Sequence, residues 1–131
     1  MYKPALTASA FFAALAVIFG AFGAHALKAC VAADQLMVFD TGVRYQFYHS
    51  FALLAAGLAF SSFPGKNLKL ATIFFIVGII LFCGSLYAMV ILSISGINIG
   101  PAGIITPVGG LFFIAGWVLF LLAIINNKKS L

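Results

Sequence analysis

The chain has 131 residues, 65% of them apolar and only 7% charged, with a formal net charge of +5. That is one domain's worth of material, read as a single unit over 1–131. A mean hydropathy of +1.24 excludes a soluble globular protein, in which charged residues make up about a quarter of the chain.

Crossing a bilayer takes about 20 apolar residues, and four stretches suffice: 4–27, 43–63, 70–93 and 106–125. They predict an all-α integral membrane protein, an antiparallel bundle of four transmembrane helices. Lipid provides no hydrophobic force between spans, so helices meet where small side chains let backbones approach. The first stretch carries Ser9, Ala16 and Gly23 seven apart, with Ala13 and Gly20 beside them, while Phe11, Leu15, Ile18 and Phe22 take the opposite, lipid-facing arc. Lys3 and "AHA" (24–26) imitate a secretory signal with its cleavage site. The apolar run is about twice the length of a signal core, so the segment is expected to be retained.

Next, "DQLMVF" (34–39) reads as an aspartate cap and an amphipathic lead-in, with Asp40 and Arg44 spaced as an i,i+4 ion pair. The second stretch opens on "VRYQFYHS" (43–50). At about 100° per residue, Arg44, Tyr45, Tyr48 and His49 share an arc of about 140°. Ala52, Ala55, Ala56 and Ala59 continue that arc, which predicts that it packs inward, with Phe47, Phe51, Leu54 and Leu58 outward and Gln46 off the arc at the headgroup level. "FPGKN" (63–67) is a tight turn.

The third stretch places Ala71, Gly78 and Ser85 seven apart, and its Cys83 reads as a small hydrophobe. Cys30 lies too far from Cys83 in depth to bond with it. "SGINIGPAGII" (95–105) is too apolar for a solvated loop and is expected at the interface or in the bundle mouth. "TPVGG" (106–110) predicts Thr106 as a helix N-cap and Pro107 as the first helical residue. Gly109, Gly116 and Ala123 then repeat the spacing of seven, which keeps a seam in register on left-handed crossings.

Four spans put both termini and the 64–69 connection on one side, with Lys3, Lys66, Lys69, Lys128 and Lys129 and no acid. The other side balances Lys28 and Arg44 against Asp34 and Asp40. The positive-inside rule makes the basic side cytoplasmic and the location the bacterial inner membrane. A basic stripe on a soluble domain, the mark of a nucleic-acid partner, is not what this pattern describes.

Topology therefore directs His25, Lys28, Arg44, Tyr45, Tyr48, His49, Tyr87 and Thr106 toward one outer vestibule. Arg44 and His49 are expected at its centre, lined by His25, Tyr45, Tyr48 and Tyr87, because polar residues within spans usually face the bundle interior or a cavity. "GAFGAHALK" (20–28), "FDTGVRYQFYHSFALL" (39–54), "LFCGSLY" (81–87) and "ITPVGGL…GW" (105–117) resemble the domain-of-unknown-function 423 family of small bacterial inner-membrane proteins, relatives of transmembrane protein 256. The resemblance implies four transmembrane helices and assigns no reaction. Gly42 stands where that pattern leads one to expect alanine, which is expected to loosen the start of the second helix.

His25 and His49 could pair as haem or metal ligands; the plainer reading has each bonded to a carbonyl or a tyrosine hydroxyl. Ser50, His49 and Asp40 are the residue types of a hydrolytic triad, but Ser50 and His49 point about 100° apart on a helix. No catalytic residue, metal or cofactor is assigned. The expectation is a non-enzymatic membrane protein that binds a lipid, a small ligand or a partner subunit, or a second copy of itself. The alternative is transport of a small solute or ion by an oligomer.

Overall fold

The computed structural model describes residues 1–99 and 102–127. In chain order they form α1 (Lys3–Ala24), a 3-10 turn (Leu27–Ala29), α2 (Ala33–Ala59), α3 (Lys66–Gly78), a π-helical turn (Ile79–Cys83), α4 (Gly84–Ile94) and α5 (Ala102–Ile125). No strand occurs among the described residues. The π-helical turn joins α3 and α4 into one rod, so there are four rods.

Their directions alternate. The Tyr2 N–H donates to the Gly57 carbonyl at 2.9 Å, whereas Gly23 lies against the Phe39 ring, so α1 and α2 run antiparallel. His49 sits 5.8 Å from Phe75, and Gly42 lies against Tyr87, which sets the third rod antiparallel to α2. Phe75 with Trp117 and Ser85 with Thr106 do the same for α5. The N-terminus, the 60–65 turn and Asn127 thus share one end of the bundle, and Lys128 and Lys129 lie outside the described residues. Three rods, Lys3–Ala29, Lys66–Ile94 and Gly103–Ile125, are long and apolar enough to cross a membrane.

The small-residue seams are where the packing is. Ser9, Ala16 and Gly23 are buried on α1, and so are Ala71, Gly78 and Ser85 on the third rod. On α5 Gly109 and Gly116 are buried and Ala123 is half-buried; on α2 Ala52 and Ala56 are buried, whereas Ala55 is exposed. Large side chains point the other way. Phe11, Ile18 and Phe22 are exposed on α1, and Leu111 and Ile114 on α5 are 65% and 62% exposed. An outer surface this apolar suits a bilayer and not water.

Two helix starts differ from the expected span limits. The helical lead-in expected at 34–39 is present and continuous with the second span, so that α2 starts at Ala33, ten residues before position 43. Between 33 and 43 nothing breaks a helix, and Phe39 and Val43 join Leu27 and Val90 in a core cluster that holds the extension down. Its N-cap is Ala32, with Asp34 inside the first turn, where a negative charge suits the helix dipole. Likewise α5 begins at Ala102, which places Thr106 and Pro107 inside the helix. Proline so near the start removes only one intrahelical bond, and Thr106 uses its hydroxyl to pair with Ser85 instead of capping.

Backbone contact is closest where the π-helical turn meets α5. A Cβ on Gly109 would strike backbone atoms of Phe82, whereas one on Gly110 would find its nearest neighbour, the Phe82 ring, at 3.8 Å. Backbone cannot step aside. We therefore expect Gly109→Ala to destabilise the bundle by about 1–3 kcal/mol. Gly110→Ala should be neutral or stabilising by up to about 1 kcal/mol through helix propensity. Reversible unfolding in mixed micelles measures both.

Candidate functional site

The polar cluster of 43–50 splits when α2 packs. Gln46, His49, Ser50, Leu53, Ala56 and Gly57 are buried; Arg44, Tyr48, Phe51, Ala55 and Leu58 are exposed. The helix is rotated from the expected setting, in which Arg44 and Tyr48 faced inward and Gln46 outward. The reason lies in what each head group can satisfy. Gln46, 2% exposed, donates from Nε2 to the Phe12 carbonyl at 2.8 Å and accepts at Oε1 from the Tyr87 hydroxyl at 2.8 Å. Beside it the Ser50 hydroxyl donates to the Gln46 carbonyl, and the Ser9 hydroxyl to the Ser50 carbonyl, at 2.7 and 2.8 Å. This ladder ties α1, α2 and α4 together with its polar groups paired. Arg44 has five N–H donors to satisfy and stays outside, its Nε 3.3 Å from Asp40 Oδ2 with both side chains more than half exposed.

His49 faces a different neighbour. Its Nδ1 lies 2.8 Å from the Tyr45 carbonyl, and its Nε2 accepts from Trp117 Nε1 at 3.3 Å. A carbonyl can only accept and an indole N–H can only donate, so these partners dictate the neutral Nδ1–H tautomer. The ring stacks on Phe113, centroids 3.4 Å apart and 9° from parallel. His25 is exposed beyond the end of α1, near the level of Phe39. Ten residues of α2, about 15 Å of helix, separate that level from His49, so the two histidines form no joint haem or metal site. Among the described residues no group of three or more potential metal ligands occurs.

The expected vestibule thus resolves into separate places. Tyr45 is partly exposed, its ring 4.7 Å from Phe82 and 5.8 Å from Tyr48, and it stacks at 6.2 Å on His49. Tyr87 turns into the α1–α2 junction, 4.9 Å from both Phe19 and Phe39. Lys28 is exposed on the 3-10 turn, and Thr106 belongs to the α4–α5 contact. Gly42 lies well inside α2 and does not loosen its start: a Cβ there would come within 2.7 Å of the Tyr87 ring, so the glycine makes room for that tyrosine. Sequence reasoning missed Gln46 and Ser50. Their i,i+4 spacing, aligned with buried Leu53 and Gly57, was the available signal.

What remains at the surface is the Asp40–Arg44 pair and the groove beside it. This groove, about 240 Å³, runs between α1 and α2 along Phe19, Gly20, Gly23, Leu36, Asp40 and Val43. On the other flank of α1 a second groove of about 360 Å³ is lined by Ile18, Phe22, Tyr87 and Ile91 with Phe19 and Phe39. Such an arrangement can hold an amphiphile, with charges at the head and an apolar channel for a tail.

The buried amide supports a direct energetic test. Gln46→Leu leaves the Tyr87 hydroxyl and the Phe12 carbonyl without that partner, and Tyr87→Phe removes only one of the two bonds. A double-mutant cycle on unfolding in bicelles should return a Gln46–Tyr87 coupling of about 0.6–1.7 kcal/mol. Additive effects would show that the bond contributes nothing.

Comparison with known proteins gives a consistent picture. The family model described as "Protein of unknown function (DUF423)" matches residues 19–110. A UPF0382 membrane protein of Staphylococcus aureus is 40% identical over 111 residues, 85% of this chain and 86% of its own. The UPF0382 membrane protein YwdK of Bacillus subtilis is 39% identical, covering 87% and 89% of the two chains. The UPF0382 inner membrane protein YgdD of Escherichia coli is 35% identical, covering 87% and 83%. No solved structure matches. With a family model covering most of its length and relatives of this identity, the chain belongs to the DUF423 family of membrane proteins.

Proposed function

We propose that this chain is a non-catalytic, four-span protein of the bacterial inner membrane, with both ends cytoplasmic, that binds a zwitterionic phospholipid headgroup at the outer half of α2. The four-span reading is supported by the 27 residues of α2, about 40 Å of helix, packed between α1 and the other two rods. Asp34, Asp40 and Arg44 lower the hydropathy of its first half without shortening it. The orientation is supported by Lys3, Lys66 and Lys69 at one end and both aspartates toward the other.

One observation carries the binding reading: an ion pair, 3.3 Å across and mostly exposed, borders an otherwise apolar groove. A zwitterionic head carries a phosphate and an ammonium, which complement Arg44 and Asp40 respectively, while Phe19, Gly20 and Val43 receive the chain. Tyr48, exposed one turn from Arg44, adds a phenol of the kind that sits at membrane interfaces. The non-catalytic reading rests on commitment of the obvious reactive groups: both His49 nitrogens and the Ser50 hydroxyl already have partners.

Native mass spectrometry of protein purified in mild detergent tests this reading. Arg44→Gln and Asp40→Asn should each reduce retained phosphatidylethanolamine about fivefold, the equivalent of roughly 1 kcal/mol per charge. Retention equal to wild type in both variants would remove the outer site.

A further inference from the structure

At the end of the bundle that holds the N-terminus and the 60–65 turn, cations gather with no acidic side chain beside them among the described residues. Lys3, Lys66 and Lys69 lie there, while the two acids of the sequence, Asp34 and Asp40, sit in the far half of α2. Lys69 holds its ammonium 6.0 Å from the Tyr2 ring centroid and 5.7 Å from that of Phe60. Those ring faces attract a cation and keep the charge at the bundle's edge.

Between the α2–α3 turn and the last turn of α5 lies a pocket of about 210 Å³, bordered by Phe63, Lys66, Asn67, Leu122, Asn126 and Asn127. Its walls are tied together, because Asn127 Nδ2 donates to the Ser62 carbonyl at 2.8 Å. Lys66 brings an ammonium to the rim, Asn67 and Asn126 bring amides, and no carboxylate lines it among the described residues. Leu122 belongs both to this pocket and to the outward face of α5, which continues through Leu121 and Ile125. Donors and positive charge therefore sit directly above an apolar ridge.

We propose that this pocket binds the phosphate of an anionic phospholipid, with Lys66 as its charged contact and the acyl chains laid along Leu122 and Ile125. A phosphodiester accepts hydrogen bonds from an ammonium and from amides, and bonds to charged donors are the stronger ones. Basic pockets between helices at a membrane surface take such headgroups. A free phosphate would use the donors and leave the ridge uncovered, which is why a lipid is the better fit. The site is distinct from the outer flank of α2 in place and in charge class.

Native mass spectrometry of the full chain, titrated with phosphatidylglycerol or phosphatidylethanolamine, decides the matter. Wild type should retain phosphatidylglycerol through this pocket, alongside the phosphatidylethanolamine held at the outer site. Lys66→Gln, at an exposed position, should weaken that retention about fivefold, and Asn126→Leu should weaken it without altering the charge. Lys28→Gln at the opposite end should leave it intact, and Lys66→Gln should leave phosphatidylethanolamine retention intact, which separates this site from the outer one. No change of phosphatidylglycerol retention in Lys66→Gln, or an equal loss of phosphatidylethanolamine in that variant, would overturn the proposal. Displacement of the lipid by excess inorganic phosphate would also overturn it, in favour of a free-anion site.

Discussion

The Gln46 side chain decides how α2 is turned, and the turn of α2 decides which of that helix's polar groups are buried. An amide buried between helices must place its donor and its acceptor. Here the donor finds the Phe12 carbonyl and the acceptor finds the Tyr87 hydroxyl, one on each side of α2. With that rotation set, His49 can only face α5 and Arg44 can only face out. Tyr87 in turn needs its ring beside Gly42, where no Cβ would fit without displacing it. Gln46, Tyr87 and Gly42 are thus one arrangement, spread over two helices.

Much of the fold was legible because its logic is local. Spacings of seven in Ser9–Ala16–Gly23 and in Ala71–Gly78–Ser85 name the faces that become buried, since close approach demands small residues wherever it happens. The Asp40–Arg44 pair was legible for the same reason: both partners lie on one helix. The rotation of α2 was not. Its partners are a backbone carbonyl on α1 and a hydroxyl on α4, and a carbonyl leaves no trace in the sequence. A helix with neighbours on two sides also buries a wide arc, so the alanines at 52, 55, 56 and 59 mark one edge of that arc and not its centre. Boundaries went astray where a motif outweighed context. "TPVGG" has the residues of a helix start, yet the helix begins earlier and the threonine is spent on Ser85.

A bundle whose internal polar groups are matched has little left inside for chemistry. The hydroxyls of Ser9, Ser50, Thr72 and Ser85 all bond to carbonyls, Ser85 also to the Thr106 hydroxyl, and no buried side-chain nitrogen or oxygen among the described residues lacks a partner. On the proposed reading, function resides on the surface. Among the described residues the exposed charge lies toward the two ends, as a paired zwitterion on one side and lysines without acidic side chains on the other. On the proposed reading these ends differ in the lipid they prefer, and the difference follows from the sign and pairing of the charges alone.

The π-helical turn at Ile79–Cys83 shows how the packing and the irregularity of the third rod depend on each other. A π turn inserts one extra residue into a helix and shifts the face that follows. In this rod the insertion comes between the α3 half, where Phe75 meets Gly116, and the α4 half, where Tyr87 meets Gly42. An uninterrupted α-helix would carry Tyr87 about 100° around the axis from its present bearing relative to Phe75, away from Gln46. The turn also brings the Phe82 backbone onto Gly109, a contact open only to glycine. The irregular turn and the glycine opposite it are therefore one adaptation, which lets a single rod serve α5 with its first half and the Gln46 amide with its second.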